Sequence, residues 1–120
     1  MATHGNQSVR QIGDIIEWQP KSRQGDLVST KQEVSEILKL AANCSRQASL
    51  LVDLSQAESP NLEQKKIIIR AANKYTFTKV AVCGYDWRLK LAVDSVVSLI
   101  KTLTVQLFDN RELALEWLNK

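Results

Sequence analysis

Three short apolar runs recur along this chain, and each is followed by a segment with helical length and period. They are residues 48–54 (Ala-Ser-Leu-Leu-Val-Asp-Leu), 78–83 (Thr-Lys-Val-Ala-Val-Cys) and 104–108 (Thr-Val-Gln-Leu-Phe). A nearly continuous apolar run of this length suits a strand covered on both faces, the usual condition in a parallel sheet. Parallel neighbours need a crossover, and helices of about ten to fifteen residues supply it. The chain is thereby constrained to an α/β fold with right-handed connections. Its 120 residues suffice for one core and not for two.

Residues 1–8 read as a weakly ordered lead, and residues 9–120 as a single domain. Residues 9–18 read as a strand interrupted by Gly13. The polar stretch 19–25 holds Pro20 and Gly25 and reads as a turn, with residues 26–29 returning as a short second strand of an N-terminal hairpin. Thr30 and Glu33 have capping-box spacing and are expected to start the first helix, whose apolar face is Val34, Ile37, Leu38 and Ala41. Ser59 before Pro60 predicts the N-cap of the second helix, which runs to about Tyr75. Asp86 or Trp87 opens a third helix ending near Lys101, and Asp109 or Asn110 caps the last. The expected order is β-β-α-β-α-β-α-β-α, a mostly parallel sheet of about five strands with four helices.

Composition narrows the function more by exclusion. The chain is 44% hydrophobic and 24% charged with 4 Gly and 2 Pro, as in ordinary globular domains. No apolar run approaches ~18 residues, so no membrane span is expected. The first eight residues hold no apolar segment of signal-peptide type, and two cysteines without a framework suit a reducing, cytoplasmic setting. A net charge of +3 is too small to argue for nucleic acid. The basic stripe Lys66, Arg70 and Lys74 lacks interleaved aromatics and reads as a solvated helix face. The one histidine, His4, lies in the lead, which leaves no nucleophile–base pair and no metal set on the frame. Cys44 and Cys83 read as small core residues. Neither a dinucleotide fingerprint nor a phosphate loop is present, so no cofactor is expected.

Two groups of residues remain as site candidates. Asp53 ends the first long apolar run, and Glu58 and Asp86 fall along the same sheet edge, where open α/β sheets hold their ligands. Each also has a local role open to it, as an Asx-turn acceptor, in loop solvation or as a helix cap. An enzyme acting through Asp53 and Asp86 would lack a base that titrates near neutrality. The second group is apolar. Trp87 and Leu91 fall opposite the core side of the third helix, Leu89, Val93, Val96 and Ile100, unless Trp87 precedes the helix and folds back over the loop, and Ile67 and Ile69 flank Ile68 and cannot share its inward direction. These four predict a self-association surface and a homodimer.

The combination of Leu50-Leu51-Val52-Asp53-Leu54-Ser55, Lys79-Val80-Ala81-Val82-Cys83-Gly84 and Val105-Gln106-Leu107-Phe108-Asp109-Asn110, closing on Glu112-Leu113-Ala114-Leu115-Glu116-Trp117-Leu118, resembles the SpoIIAA-like (STAS-like) proteins over roughly residues 12–119. The resemblance implies a right-handed βα superhelix, the fold shared with CRAL-TRIO lipid carriers. It implies a non-enzymatic regulatory or protein-interaction module, with binding of a small ligand or lipid in the pocket between the sheet and its helices as the alternative. The anti-anti-sigma relatives are switched by phosphorylation of a serine in an Asp-Ser-Ser/Thr-Gly motif after the central strand. Here that place reads Glu58-Ser59-Pro60-Asn61, with a shorter loop, Glu for Asp and no Gly. Only Ser59 matches the phosphorylated position.

Overall fold

The computed structural model describes residues 8–75, 77–100 and 103–120. Its elements are β1 (Val9–Ile12), β2 (Ile15–Trp18), α1 (Leu27–Ala42), β3 (Ser49–Asp53), α2 (Leu62–Ala72), β4 (Val80–Cys83), α3 (Trp87–Val97), β5 (Val105–Leu107) and α4 (Arg111–Leu118). The five strands lie in the order β1-β2-β3-β4-β5. β1 is antiparallel to β2, and every other neighbouring pair is parallel. The expected α/β architecture and element order are therefore present.

Each crossover from β2 onward steps one strand in the same direction. Right-handed connections then place α1, α2 and α3 on one face of the sheet and leave the other face to α4. Strand alternation divides the core accordingly. Ile16, Trp18, Leu50, Val52, Val80 and Val82 pack with Ile37 and Ala41 of α1 and Val93 of α3. Ile15, Leu51, Ala81 and Cys83 pack with Ala114 and Leu118 of α4. The middle strands are apolar throughout because helices cover them on both sides. Among the described residues, no helix is long and apolar enough to cross a membrane.

The N-terminal third departs from the sequence expectation. The hairpin turns at Gly13-Asp14, not at residues 19–25, with Ile12 opposite Ile15. Gly13 has φ 61°, the positive value that the first residue of a type II′ turn requires, so the glycine is the turn itself and not an interruption within one strand. Residues 26–29 are not a strand either. Asp26 caps α1, accepting from Ser29 N at 3.0 Å and Ser29 Oγ at 2.8 Å. Thr30 is buried inside the first turn and donates to the Asp26 carbonyl at 2.9 Å, which removes it from the capping role. Of the expected disordered lead, residues 1–7, His4 included, lie outside the described residues. Ser8 is buried, and its carbonyl accepts from Gln19 N at 2.7 Å. The helical part of α3 stops at Val97, with Ser98 as C-cap, and the expected end near Lys101 lies outside the described residues.

Candidate functional site

The helix layer over α1–α3 does not fill its side of the sheet. α2 packs against α1, but α2 and α3 do not close on each other, and a cavity of about 160 Å³ remains between them and the strands. Its floor includes Trp18, Val52 and Val82, and its walls include Ile37, Ile68 and Val93. The cause is visible in α2. Of its three consecutive isoleucines only Ile68 lines the cavity, and the residues a turn later are the small Ala71 and Ala72. Gln64 is the one fully buried side chain of α2, whereas Ile67 and Ile69 are half-buried.

Gln64 fastens the lip of this cavity. Its Oε1 accepts from Gly25 N at 2.8 Å and Asn61 N at 2.9 Å, and its Nε2 donates to the Arg23 carbonyl and Thr30 Oγ1, both at 2.9 Å. Every hydrogen-bonding group of this buried amide is thus engaged, as a buried polar group requires. The 19–26 loop is held a second time through Gln24, whose backbone N donates to Glu58 Oε1 at 2.8 Å and whose Nε2 donates to the Ser59 carbonyl at 2.9 Å. Trp18 differs from these groups. It is buried and lines the cavity, and its indole Nε1 has no hydrogen-bond partner among the described residues.

The three edge carboxylates are each occupied by a different piece of backbone. Asp53 Oδ1 accepts from Ser55 N at 3.0 Å, the two-residue reach of an Asx turn. Gly84, at φ 78°, passes so close that a Cβ there would lie 2.5 Å from Asp53 Oδ1. Glu58 holds Gln24. Asp86 caps α3, accepting from Arg88 N at 3.0 Å and Leu89 N at 2.9 Å, and these bonds hold its carboxyl below the usual range, the Leu89 amide most strongly. The edge thus carries three structural acceptors and no convergent pair. Ser59 is not the cap of α2. Asn61 is, in a reciprocal capping box with Gln64, because the helix begins two residues later than the Ser-Pro pair suggests.

On the opposite face a buried ion pair joins β2 to α4. Glu17, 5% exposed, accepts from Arg111 Nε at 2.8 Å and Nη2 at 3.0 Å, and from Arg10 Nε at 2.7 Å. The Arg111 bonds are the main reason its carboxyl titrates below the ordinary glutamate range. Cys83 lies buried on this side, and desolvation, with Asp53 adding to it, pushes its thiol up to about 11. That leaves it an unreactive core residue at neutral pH. Lys79 Nζ donates to the Trp117 carbonyl at 2.8 Å and lies 5.0 Å from the Trp117 ring, which also packs on Phe108.

The outer side of α3 carries the two most exposed large apolar side chains among the described residues. Trp87 is 81% and Leu91 76% exposed, while Leu89, Ala92 and Val93 are buried on the inner side, so the helical period placed these residues as expected. Sequence reasoning missed the Glu17–Arg111 pair, and it reached a pocket between the sheet and its helices only through the family resemblance. The single acidic residue within Ile15-Ile16-Glu17-Trp18 was the available signal, since strand alternation puts it beside Ile15 on the α4 face.

A family model described as SpoIIAA-like matches residues 15–119. No curated protein matches the chain.

Proposed function

The chain belongs to the SpoIIAA-like family, and from that premise we propose that it is a non-enzymatic regulatory module that binds protein through the outer side of α3, with a second copy of itself as the partner. The exposure of Trp87 and Leu91 carries this reading. A two-fold contact requires a patch that tolerates its own charges. α3 meets that condition: Asp86 pairs with Arg88 at 3.1 Å and Lys90 with Asp94 at 2.9 Å, so the helix presents two charges of each sign. α2 meets it less well: Lys66 pairs with Glu63 at 3.4 Å, but the helix sets one acidic residue against three basic ones, and exposed Arg70 beside Ile69 would face its own copy. Those two isoleucines therefore belong to the margin of the contact. Burying one large apolar side chain contributes about 1.5–3 kcal/mol. Four such side chains across a two-fold axis gain roughly 6–12 kcal/mol, of the same order as the cost of association. The dimer should form over a concentration range that sedimentation can follow. In analytical ultracentrifugation the unmodified protein should shift from monomer to dimer as its concentration rises through the micromolar range. The variant Trp87→Glu/Leu91→Lys should stay monomeric with an unchanged circular dichroism spectrum. An unmodified protein that remains monomeric throughout refutes the proposal.

The apolar cavity favours a second reading, binding of a small ligand or lipid inside the fold.

A further inference from the structure

We infer that the second copy pairs along the free edge of β5: two β5 strands run antiparallel about a two-fold axis at Gln106, and the two sheets become one. The inference rests on the reading of a second copy as the partner of α3, and it fixes how that copy is seated.

β5 ends the sheet, and the described residues place no strand beyond it. Val80 N donates to the Thr104 carbonyl and Phe108 N to the Val82 carbonyl, both at 2.8 Å. Thr104 and Phe108 therefore turn their backbone toward β4. Alternation puts Gln106 with them and leaves the N–H and C=O groups of Val105 and Leu107 on the open side. Such an edge is normally guarded by charge, proline or a covering element. The other edge is guarded in this way: β1 carries Arg10, and α1 packs against it. The run Thr104-Val105-Gln106-Leu107-Phe108 holds neither charge nor proline. Its apolar row is also incompletely covered. Leu103, Val105 and Leu107 pack with the core of the α1–α3 face but stay half-buried, while β4 beside them is buried throughout. A second β5 satisfies both needs. With Gln106 on the axis, Val105 and Leu107 of one copy lie opposite Leu107 and Val105 of the other, so each outward N–H meets a carbonyl and the half-buried side chains cover one another. The position of α3 suits this seat. It joins β4 to β5 and so lies over that flank. Its inner side faces a cavity that α2 walls from the other side, so Trp87 and Leu91 turn away from α2, toward the flank beyond β5. With strands ~4.8 Å apart, two such helices, each centred over its own β4–β5 pair, would stand about 9.6 Å apart. Packed helices stand about 8–10 Å apart.

Charge at Gln106 tests the pairing, because its side chain is exposed and can change without disturbing the core. Gln106→Lys and Gln106→Glu each set like charges on residues whose Cα atoms would lie about 4.5 Å apart across the axis. At low salt each variant alone should dimerise roughly threefold more weakly than the unmodified protein in analytical ultracentrifugation, and an equimolar mixture of the two roughly fivefold more tightly than either alone. Rescue by mixing is specific to a residue that meets its own copy. If charges at Gln106 leave dimerisation unchanged while Trp87→Glu/Leu91→Lys abolishes it, the α3 contact stands and the β5 pairing is wrong. If the unmodified protein stays monomeric throughout, the α3 reading falls and the pairing with it, and the edge is left to a strand from another protein. Hydrogen exchange of the unmodified protein decides without any variant. The amides of Val105 and Leu107 should be protected at concentrations where the dimer forms and open where it dissociates, and equal exchange at both overturns the pairing.

Discussion

Replacing Glu17 by Gln should destabilise the fold by about 2 kcal/mol at pH 7, and that loss should fade on acidification. The carboxylate is buried, with a side chain 6% exposed, and receives three hydrogen bonds, two from Arg111 and one from Arg10. The glutamine keeps the volume and one acceptor. Its oxygen retains two of the bonds if it takes the Oε1 position, but its NH2 then faces the Arg111 Nε donor. The two retained bonds weaken but stay charge-assisted, because the arginines remain ionised, and the lost bond is worth about 1.5–3 kcal/mol, so the loss comes to roughly 3 kcal/mol. Two effects offset part of this. A buried carboxylate no longer needs desolvation, and both arginines, 37% and 64% exposed, recover water. The pH dependence has a fixed sign. Glu17 titrates lower in the fold than its ordinary value of 4.5, so its contribution is complete above that value and is lost as pH falls through the folded pKa. Asp26 and Asp86 are depressed too, but they are present in both proteins and cancel in the difference. Urea denaturation of both proteins, followed by tryptophan fluorescence at steps from pH 7 to pH 3, measures the gap. A gap of the same size at both ends would refute the claim that charge is what the site contributes.

Two further substitutions test local readings. Asn61→Ala should cost about 1–2 kcal/mol in chemical denaturation as the cap of α2 is lost, while Ser59→Ala should stay within about 0.5 kcal/mol; the reverse order would restore Ser59 as the cap. Gly84→Ala should cost about 3 kcal/mol or more, because it sets a Cβ in the left-handed region and close to Asp53 and the Ser55 backbone. Adding Asp53→Ala should recover only part of that loss, since Ser55 N would still lie 2.8 Å from the new Cβ, and full recovery would contradict the geometry.

The sheet was legible because β3, β4 and β5 lie in apolar runs whose burial depends on their own composition, and because right-handed crossovers leave little freedom once the order is known. The helix starts were less legible, for a physical reason. Thr30-x-x-Glu33 is a sound local capping pattern, yet Thr30 Oγ1 accepts from Gln64, 34 residues away, and Glu33 accepts from Lys21 N at 3.0 Å. Tertiary partners claimed both side chains, and Asp26 was left to cap α1. The same network chose Asn61 over Ser59, since Gln64 closes the box while holding the 19–26 loop. Trp87 and Leu91 were readable because exposure on a helix follows from angle alone. The cavity was not, because it is defined by what Ala71 and Ala72 fail to fill, and a missing volume has no pattern along the chain.

The two faces of the sheet therefore differ in how much they have settled. Under α4, Leu51, Ala81 and Ala114 are wholly buried, and the Glu17–Arg111 pair ties the first residue of the helix to β2. Along the α2–α3 half of the other face, the apolar side chains of α2 are at best half-buried, a cavity persists, and a tryptophan stands in solvent. Incomplete burial costs stability, and a marginally stable domain of this size retains it most readily where binding later makes up the loss. α3 is the element both readings share. Its inner side, Leu89, Ala92, Val93 and Val96, walls the cavity, and its outer side carries Trp87 and Leu91. A molecule in the cavity and a partner on the surface would thus press on opposite sides of one eleven-residue helix. If a molecule in the cavity changes the affinity for the partner, the partner changes the affinity for that molecule by the same factor, because coupling between two binding sites is reciprocal.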